Sequence, residues 1–170
     1  MVTAIVNDPG AKAGQILDPV GIEIQSHLKG SGVITRGDLL VPDTGTAPDG
    51  VKLSPTGRNA GPFYVAMETV VTGATQISCS HGGVIALTAD GTIEVHKPVM
   101  TATSTAGQVI QYTAATVTVT TPTGSEIVAA AAEFADVVGV CEGFVDNWGT
   151  PAATAPVDGD LCAIRMKVGF

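Results

Sequence analysis

A chain of 170 residues is long enough to enclose one core without metals or disulfide staples. Charged residues make up 14% of it, against about 25% in an ordinary soluble domain, while apolar residues reach 45% and aromatics only 4%. The net charge is −8, and the eight basic residues are scattered from Lys12 to Lys167, which argues against a basic patch that could follow a phosphate backbone and so against nucleic-acid binding.

The apolar content is therefore Ala, Val, Ile and Leu, and side chains this small cover a monomer's exterior poorly. Contiguous apolar patches mark contact sites, so an oligomer is expected. Cys79, Cys141 and Cys162 are odd in number and lack CxxC spacing, which reads as buried thiols, with one Cys141–Cys162 bond left open. The start of the chain has no charged segment leading into an apolar run, so no signal peptide is expected. The apolar run at residues 127–132 is too short to span a bilayer, and no membrane partner is expected.

In chain order, residues 1–20 carry Asp8-Pro9-Gly10, Gly14 and Asp18-Pro19 with little periodicity, and read as an extended N-terminal arm that a partner would tie down. Residues 21–170 read as a single β-rich domain. In Gly21-Ile22-Glu23-Ile24-Gln25 strict alternation puts Ile22 and Ile24 on one face of a strand. A second strand region covers residues 33–41, interrupted by Arg36-Gly37-Asp38. Residues 42–62, with Pro42, Pro48, Pro55 and Pro62, read as a long Pro/Gly loop suited to partner contact.

Residues 84–88 and 92–96 flank Ala89-Asp90-Gly91. A three-residue hairpin loop pairs Leu87 with Ile93 and Ile85 with Val95, which keeps one face apolar. A second hairpin joins residues 109–112 to 117–121. Residues 125–136 allow one short helix, with Ser125 as its cap, or a further strand. Residues 137–144 and 161–168 read as two closing strands. A theme recurs at Gly37-Asp38-Leu39, Gly107-Gln108-Val109 and Gly159-Asp160-Leu161: a turn glycine, a polar residue that bonds the backbone, then an apolar strand. It is strand-entry chemistry and does not establish a duplicated domain. The fold class expected is all-β, a small antiparallel barrel or sandwich.

No residue set rises to a catalytic, cofactor or metal site. Arg36-Gly37-Asp38 matches an adhesive tripeptide but sits where a strand begins. Cys79-Ser80-His81 brings a thiol near an imidazole, yet zinc needs three or four ligands, and His27 and His96 lie in other segments. His96 shares a polar face with Glu94 as a solvated pair. Glu142 with Asp146, and Asp158 with Asp160, read as turn carboxylates, not as a glycosidase pair. Trp148 fits equally as a plug over one end of a barrel or as an anchor at an interface between copies.

The run Gly82-Gly83-Val84-Ile85-Ala86-Leu87-Thr88-Ala89-Asp90-Gly91-Thr92-Ile93-Glu94-Val95 is followed by Gly107-Gln108-Val109-Ile110-Gln111-Tyr112 and then Val137-Val138-Gly139-Val140-Cys141. In the order and character of these strands, residues 64–166 resemble the small cement or decoration proteins of tailed-phage heads. The resemblance implies a β-rich protein, often a homotrimer, that binds the major capsid protein on the outside of an assembled shell and stabilises it without catalysis. Two other readings stay open: a viral tail, spike or fibre-head component that binds a host receptor, and a small hydrolase or carbohydrate-binding accessory protein.

Overall fold

The computed structural model describes residues 11–30, 32–45, 50–114, 136–146 and 153–167. Among them run the strands β1 (Ile16–Asp18), β2 (Glu23–Lys29), β3 (Leu39–Pro42), β4 (Gly50–Leu53), β5 (Tyr64–Ala66), β6 (Gln76–His81), β7 (Val84–Thr88), β8 (Pro98–Thr101), β9 (Val109–Gln111), β10 (Gly139–Phe144) and β11 (Leu161–Met166). The protein is all-β. Strands β2-β4-β3-β5-β6 form a closed barrel, and β1-β7-β11-β10-β8-β9 form a six-stranded sheet.

Most of these strands are introduced by the same turn. In Lys12–Gln15, Pro19–Ile22, Thr35–Asp38, Val71–Ala74, Glu94–Lys97, Thr105–Gln108 and Val157–Asp160 the fourth N–H donates to the first carbonyl, at 2.9 to 3.4 Å. The third residue has positive φ every time, as a type II turn requires, and it is glycine in all but one, where His96 sits at φ 64°. In three of these turns a polar fourth residue closes the turn a second time. The Asp38 and Asp160 carboxylates accept from the N–H of Thr35 and Val157, at 2.7 and 3.0 Å, and the Gln15 side-chain oxygen accepts from the N–H of Lys12. The Gly-polar-apolar theme of the sequence is thus the chemistry of strand initiation, and it recurs more often than its glycines reveal.

The barrel and the sheet repeat one plan. In the barrel β2 pairs with β4 in parallel, and the other pairs, β4 with β3, β3 with β5, β5 with β6 and β6 with β2, are antiparallel. In the sheet Ala89, directly after β7, bridges Val109 of β9 in parallel. The remaining pairs, β9 with β8, β8 with β10, β10 with β11 and β11 with β7, are antiparallel. Order and sense therefore match strand for strand. The connections match as well: residues 30–38 and 89–97 are equal in length, as are residues 43–49 and 102–108. A shift of 59 residues carries Ile34 onto Ile93, Gly37 onto His96, Leu39 onto Pro98 and Gly50 onto Val109. Hydrogen bonds of the lead-in turns match too, with the partners on β5 and β10 offset by 75 residues instead of 59. Gly37 N–H donates to Ala66, whose own N–H returns to Asp38; His96 N–H donates to Cys141, whose N–H returns to Lys97.

Alternation along these strands makes two connected cores. Ile34, Leu40, Val51, Ala66, Ile77 and Cys79 cluster within the barrel. Leu39, Val41, Phe63 and Val65, from the opposite face of the same strands, join Ile85, Leu87, Ile93, Val99, Cys141 and Ile164 in one larger cluster. Burying a side chain of this kind contributes about 1.5–3 kcal/mol, so the shared cluster ties the two cycles into one body.

Several expectations are corrected. Residues 92–96 do not pair with β7, because both edges of that strand are taken: Leu87 stands opposite Cys162, and Ile85 lies between Ile164 and Ile16. Ile93 is still fully buried, donating its N–H to Pro156 O, and residues 94–97 form the turn into β8. The stretch 42–62, read as a loop, holds β4, where Val51 is buried in the barrel. Of the arm at 1–20, residues 1–10 lie outside the described residues, while Ile16–Asp18 pairs with β7 of its own chain. Ile22 packs against the larger cluster, but Ile24 is 58% exposed, so their alternation does not mark a buried face. Residues 117–121 of the second hairpin, residues 125–135 of the helix-or-strand segment and Trp148 fall outside the described residues; β9 itself pairs with β8.

Candidate interaction surface

The groups with chemical potential are used up in holding the fold. Cys79 points into the barrel, where burial, and then the nearby Glu68 charge, push its thiol up to about 12. A thiol so placed stays protonated at neutral pH and is a poor nucleophile. Cys141 and Cys162 are buried and free, and burial raises both. The His81 Nδ1 lies 3.0 Å from the Phe63 carbonyl, and its ring tilts against Tyr64, which tilts in turn against His27. Histidine and cysteine here line a wall; they do not converge. Among the described residues no group of three His, Cys, Asp or Glu side chains is placed to hold a metal ion.

The acidic candidates separate in the same way. Glu142 accepts from the Arg165 guanidinium at 2.9 Å, and Asp160 closes its own turn. Glu94 pairs with Lys97 at 3.9 Å rather than with His96. In Arg36-Gly37-Asp38 the glycine is buried, and a Cβ there would lie 2.3 Å from that of Ala13. The Asp38 carboxylate is turned back to the Thr35 N–H and is raised by burial, with that hydrogen bond opposing the rise. The tripeptide is a lead-in turn.

What the exterior does offer is apolar. Val20, Ile24, Val33, Val71 and Val157 are half or more exposed. Val33 and Val71 flank the bridge between Ile34 and Val70, and Ile24 lies on β2. All but Val157 belong to the barrel or the turn leading into it.

β2 also has an unfinished edge. Lys29 donates its N–H to Thr75 O on the β6 side at 3.0 Å, and Gly30 donates to Val51 O on the β4 side at 2.9 Å. Successive residues of a strand turn their peptide groups to opposite edges, so Ile24 and Ser26 face the β4 side. β4 reaches only Leu28 and Lys29. Among the described residues no strand lies beside the peptide groups of Ile24 and Ser26, and Glu23, Ile24, Gln25 and Ser26 are all exposed.

In the second cycle the corresponding edge is filled. Aligned through Ala66 and Cys141, Gln25 opposite Cys79 matches Ile85 opposite Ile164, an offset of 60 residues here against 59 in the connection that follows, which puts Val84 and Ala86 in the places of Ile24 and Ser26. β1 lies against that edge. Asp18 pairs with Val84, and Ala86 exchanges two hydrogen bonds with Gly14 and Gln15, at 2.8 and 2.9 Å. Leu17 and Ala11 pack over Val84 and Ala86, which are fully buried. One edge is finished by the chain itself and its counterpart is bare. Sequence reading missed both. A clue was present in Lys12-Ala13-Gly14-Gln15-Ile16, which carries the strand-initiation pattern inside the supposed arm.

No family model and no curated protein sequence matches the chain. Among solved structures it is similar to the head fiber gp8.5 N base in bacteriophage phi29, with a TM-score of 0.50 and 17% identity over 86% of this chain and 94% of that one. At that identity the likeness is one of fold.

Proposed function

We propose that the chain is a structural protein of a bacteriophage virion, without catalytic activity, that binds the outside of the head. The observation that carries this reading is the likeness in fold to a phage head-fiber base, which extends over nearly the whole of both chains. A role in the virion is the part of the resemblance to capsid cement proteins that this likeness supports. The exposed valines and Ile24, and the open edge of β2, supply surface for assembly.

The mechanism is mechanical. Copies, three around a local threefold axis, dock where major capsid protein subunits meet. A ligand that binds only the assembled shell shifts the equilibrium toward it by mass action, and joined copies multiply modest single-site affinities. No nucleic acid, membrane or cofactor has a part in it. A second reading is favoured by the name of the similar structure: the chain is the base of a fibre standing on the head, and it anchors a receptor-binding part.

Electron cryomicroscopy of intact particles tests both. Density for the chain spread over the joints between capsid subunits is expected for cement, and density at the foot of a projecting fibre is expected for the second reading. Particles whose heads lack the chain, with label on the tail or none, would contradict both.

A further inference from the structure

We infer that the open edge of β2 receives an added strand from the N-terminal segment of a second copy of this chain. The inference deepens the structural-protein reading by naming the contact between copies, and its test needs no virion, so the two can fail separately.

The repeat supplies the template. At β7 the same edge position is filled by a short antiparallel strand from residues N-terminal to the barrel, led in by a glycine turn and covering Val84 and Ala86 with Leu17 and Ala11. At β2 the same peptide positions, Ile24 and Ser26, face outward, and Ile24 is 58% exposed. An exposed edge of this kind is a ready site for strand addition, in which main-chain hydrogen bonds supply affinity.

The occupant follows from sequence and direction. Val2-Thr3-Ala4-Ile5-Val6 is an uncharged run rich in β-branched residues, long enough to lie along Glu23–His27. In its own chain the residues that follow it are already engaged at β7. β1 pairs Asp18 with Val84 and Ile16 with Ile85, so moving back from Asp18 toward Ala11 leads along β7 away from Gly83, whereas Glu23 sits opposite His81 just before Gly82. Residues 11–18 are thus committed to β7, and a neighbouring copy is the donor inferred for the β2 edge. Passing each segment to the next copy around a ring closes the assembly.

Two variants of the full chain test this. Ile24→Cys combined with Thr3→Cys, Ala4→Cys or Ile5→Cys places one thiol on the edge and one on the segment, while the native cysteines stay silent because each is 1% exposed or less. Under mild oxidation at least one pair is expected to give covalent dimers or larger rings on a non-reducing gel. Free thiols throughout, or thiols lost without any gain in mass, would overturn the inference; the latter marks capture by the chain's own segment. Ser26→Pro removes an outward N–H that the barrel does not use, a place where proline is tolerated. The variant is expected to keep its thermal transition and to self-associate roughly tenfold more weakly, the loss of one or two backbone hydrogen bonds. A folded variant with unchanged self-association would also overturn it.

Discussion

The two strand cycles share order, sense and two of their connection lengths, yet their first strands are finished differently. β7 is enclosed on both edges, with Val84 and Ala86 buried beneath β1, whereas β2 leaves Glu23 to Ser26 exposed and two peptide groups unpaired among the described residues. Topology alone therefore does not decide which edge meets solvent. A few residues placed N-terminal to the repeat seal one copy of the plan and leave the other bare. The sealed cycle serves the core; the unsealed one carries most of the exposed apolar side chains.

The sharpest way to break this equivalence is at the lead-in turns, where Gly37 and His96 hold the same place. Gly37 is hemmed in, with its would-be Cβ 2.3 Å from Ala13 Cβ and 2.6 Å from the Ala13 carbonyl carbon, and its φ is 91°. Gly37→Ala is expected to destabilise the fold by more than about 3 kcal/mol, read as a loss of soluble protein or a large drop in chemical-denaturation midpoint. His96 already carries a side chain there. His96→Gly relieves a left-handed residue at the cost of a more flexible unfolded chain, and a stabilisation of no more than about 1 kcal/mol is expected. Equal losses at both positions would show that the turns are not equivalent in their surroundings.

A smaller effect is expected from the matched isoleucines. Ile34 and Ile93 are both fully buried, but Ile93 lies in the cluster that joins the two cycles. Each Ile→Ala change is expected to cost about 2–5 kcal/mol, with Ile93→Ala the costlier when denaturation of the two variants is compared.

The smallest is a difference in acid response. The Asp90 carboxylate accepts from the Ser104 N–H and hydroxyl, at 3.0 and 2.8 Å, and these bonds hold it below the ordinary carboxylate range. Its folded pKa is depressed, so its contribution to stability is full above about pH 4, the unfolded value, and is lost as pH falls through the folded value. Ser104→Ala is expected to lower stability at pH 7 by about 1 kcal/mol, and the gap from the parent protein is expected to narrow as the pH is taken below 4.

Legibility in the sequence followed the range of the interactions. The turn at Thr35–Asp38 could be read because glycine and aspartate act within four residues, and the closing strands β10 and β11 because their apolar alternation is local. The hairpin drawn between residues 84–88 and 92–96 failed for the opposite reason. Its local register was sound, but β1 and β11, distant in sequence, occupy both edges of β7. β4 was hidden because Gly50-Val51-Lys52-Leu53 sits between prolines, and only its pairing with β2 and β3 makes it a strand. The repeat was hidden because His96 replaces a glycine and identities as sparse as Ile34 with Ile93 mark the match. The open edge of β2 had no local sign beyond Ile24, whose exposure reverses what its alternation with Ile22 implied.

Residue-resolved amide exchange at two protein concentrations tests most directly whether β2 is the unsealed counterpart of β7. In dilute solution the Ile24 and Ser26 amides are predicted to exchange freely while those of Val84 and Ala86 are protected; at high concentration Ile24 and Ser26 are predicted to become protected too. Protection of Ile24 and Ser26 that is already complete in dilute monomer, or exchange that stays free at every concentration, would contradict it.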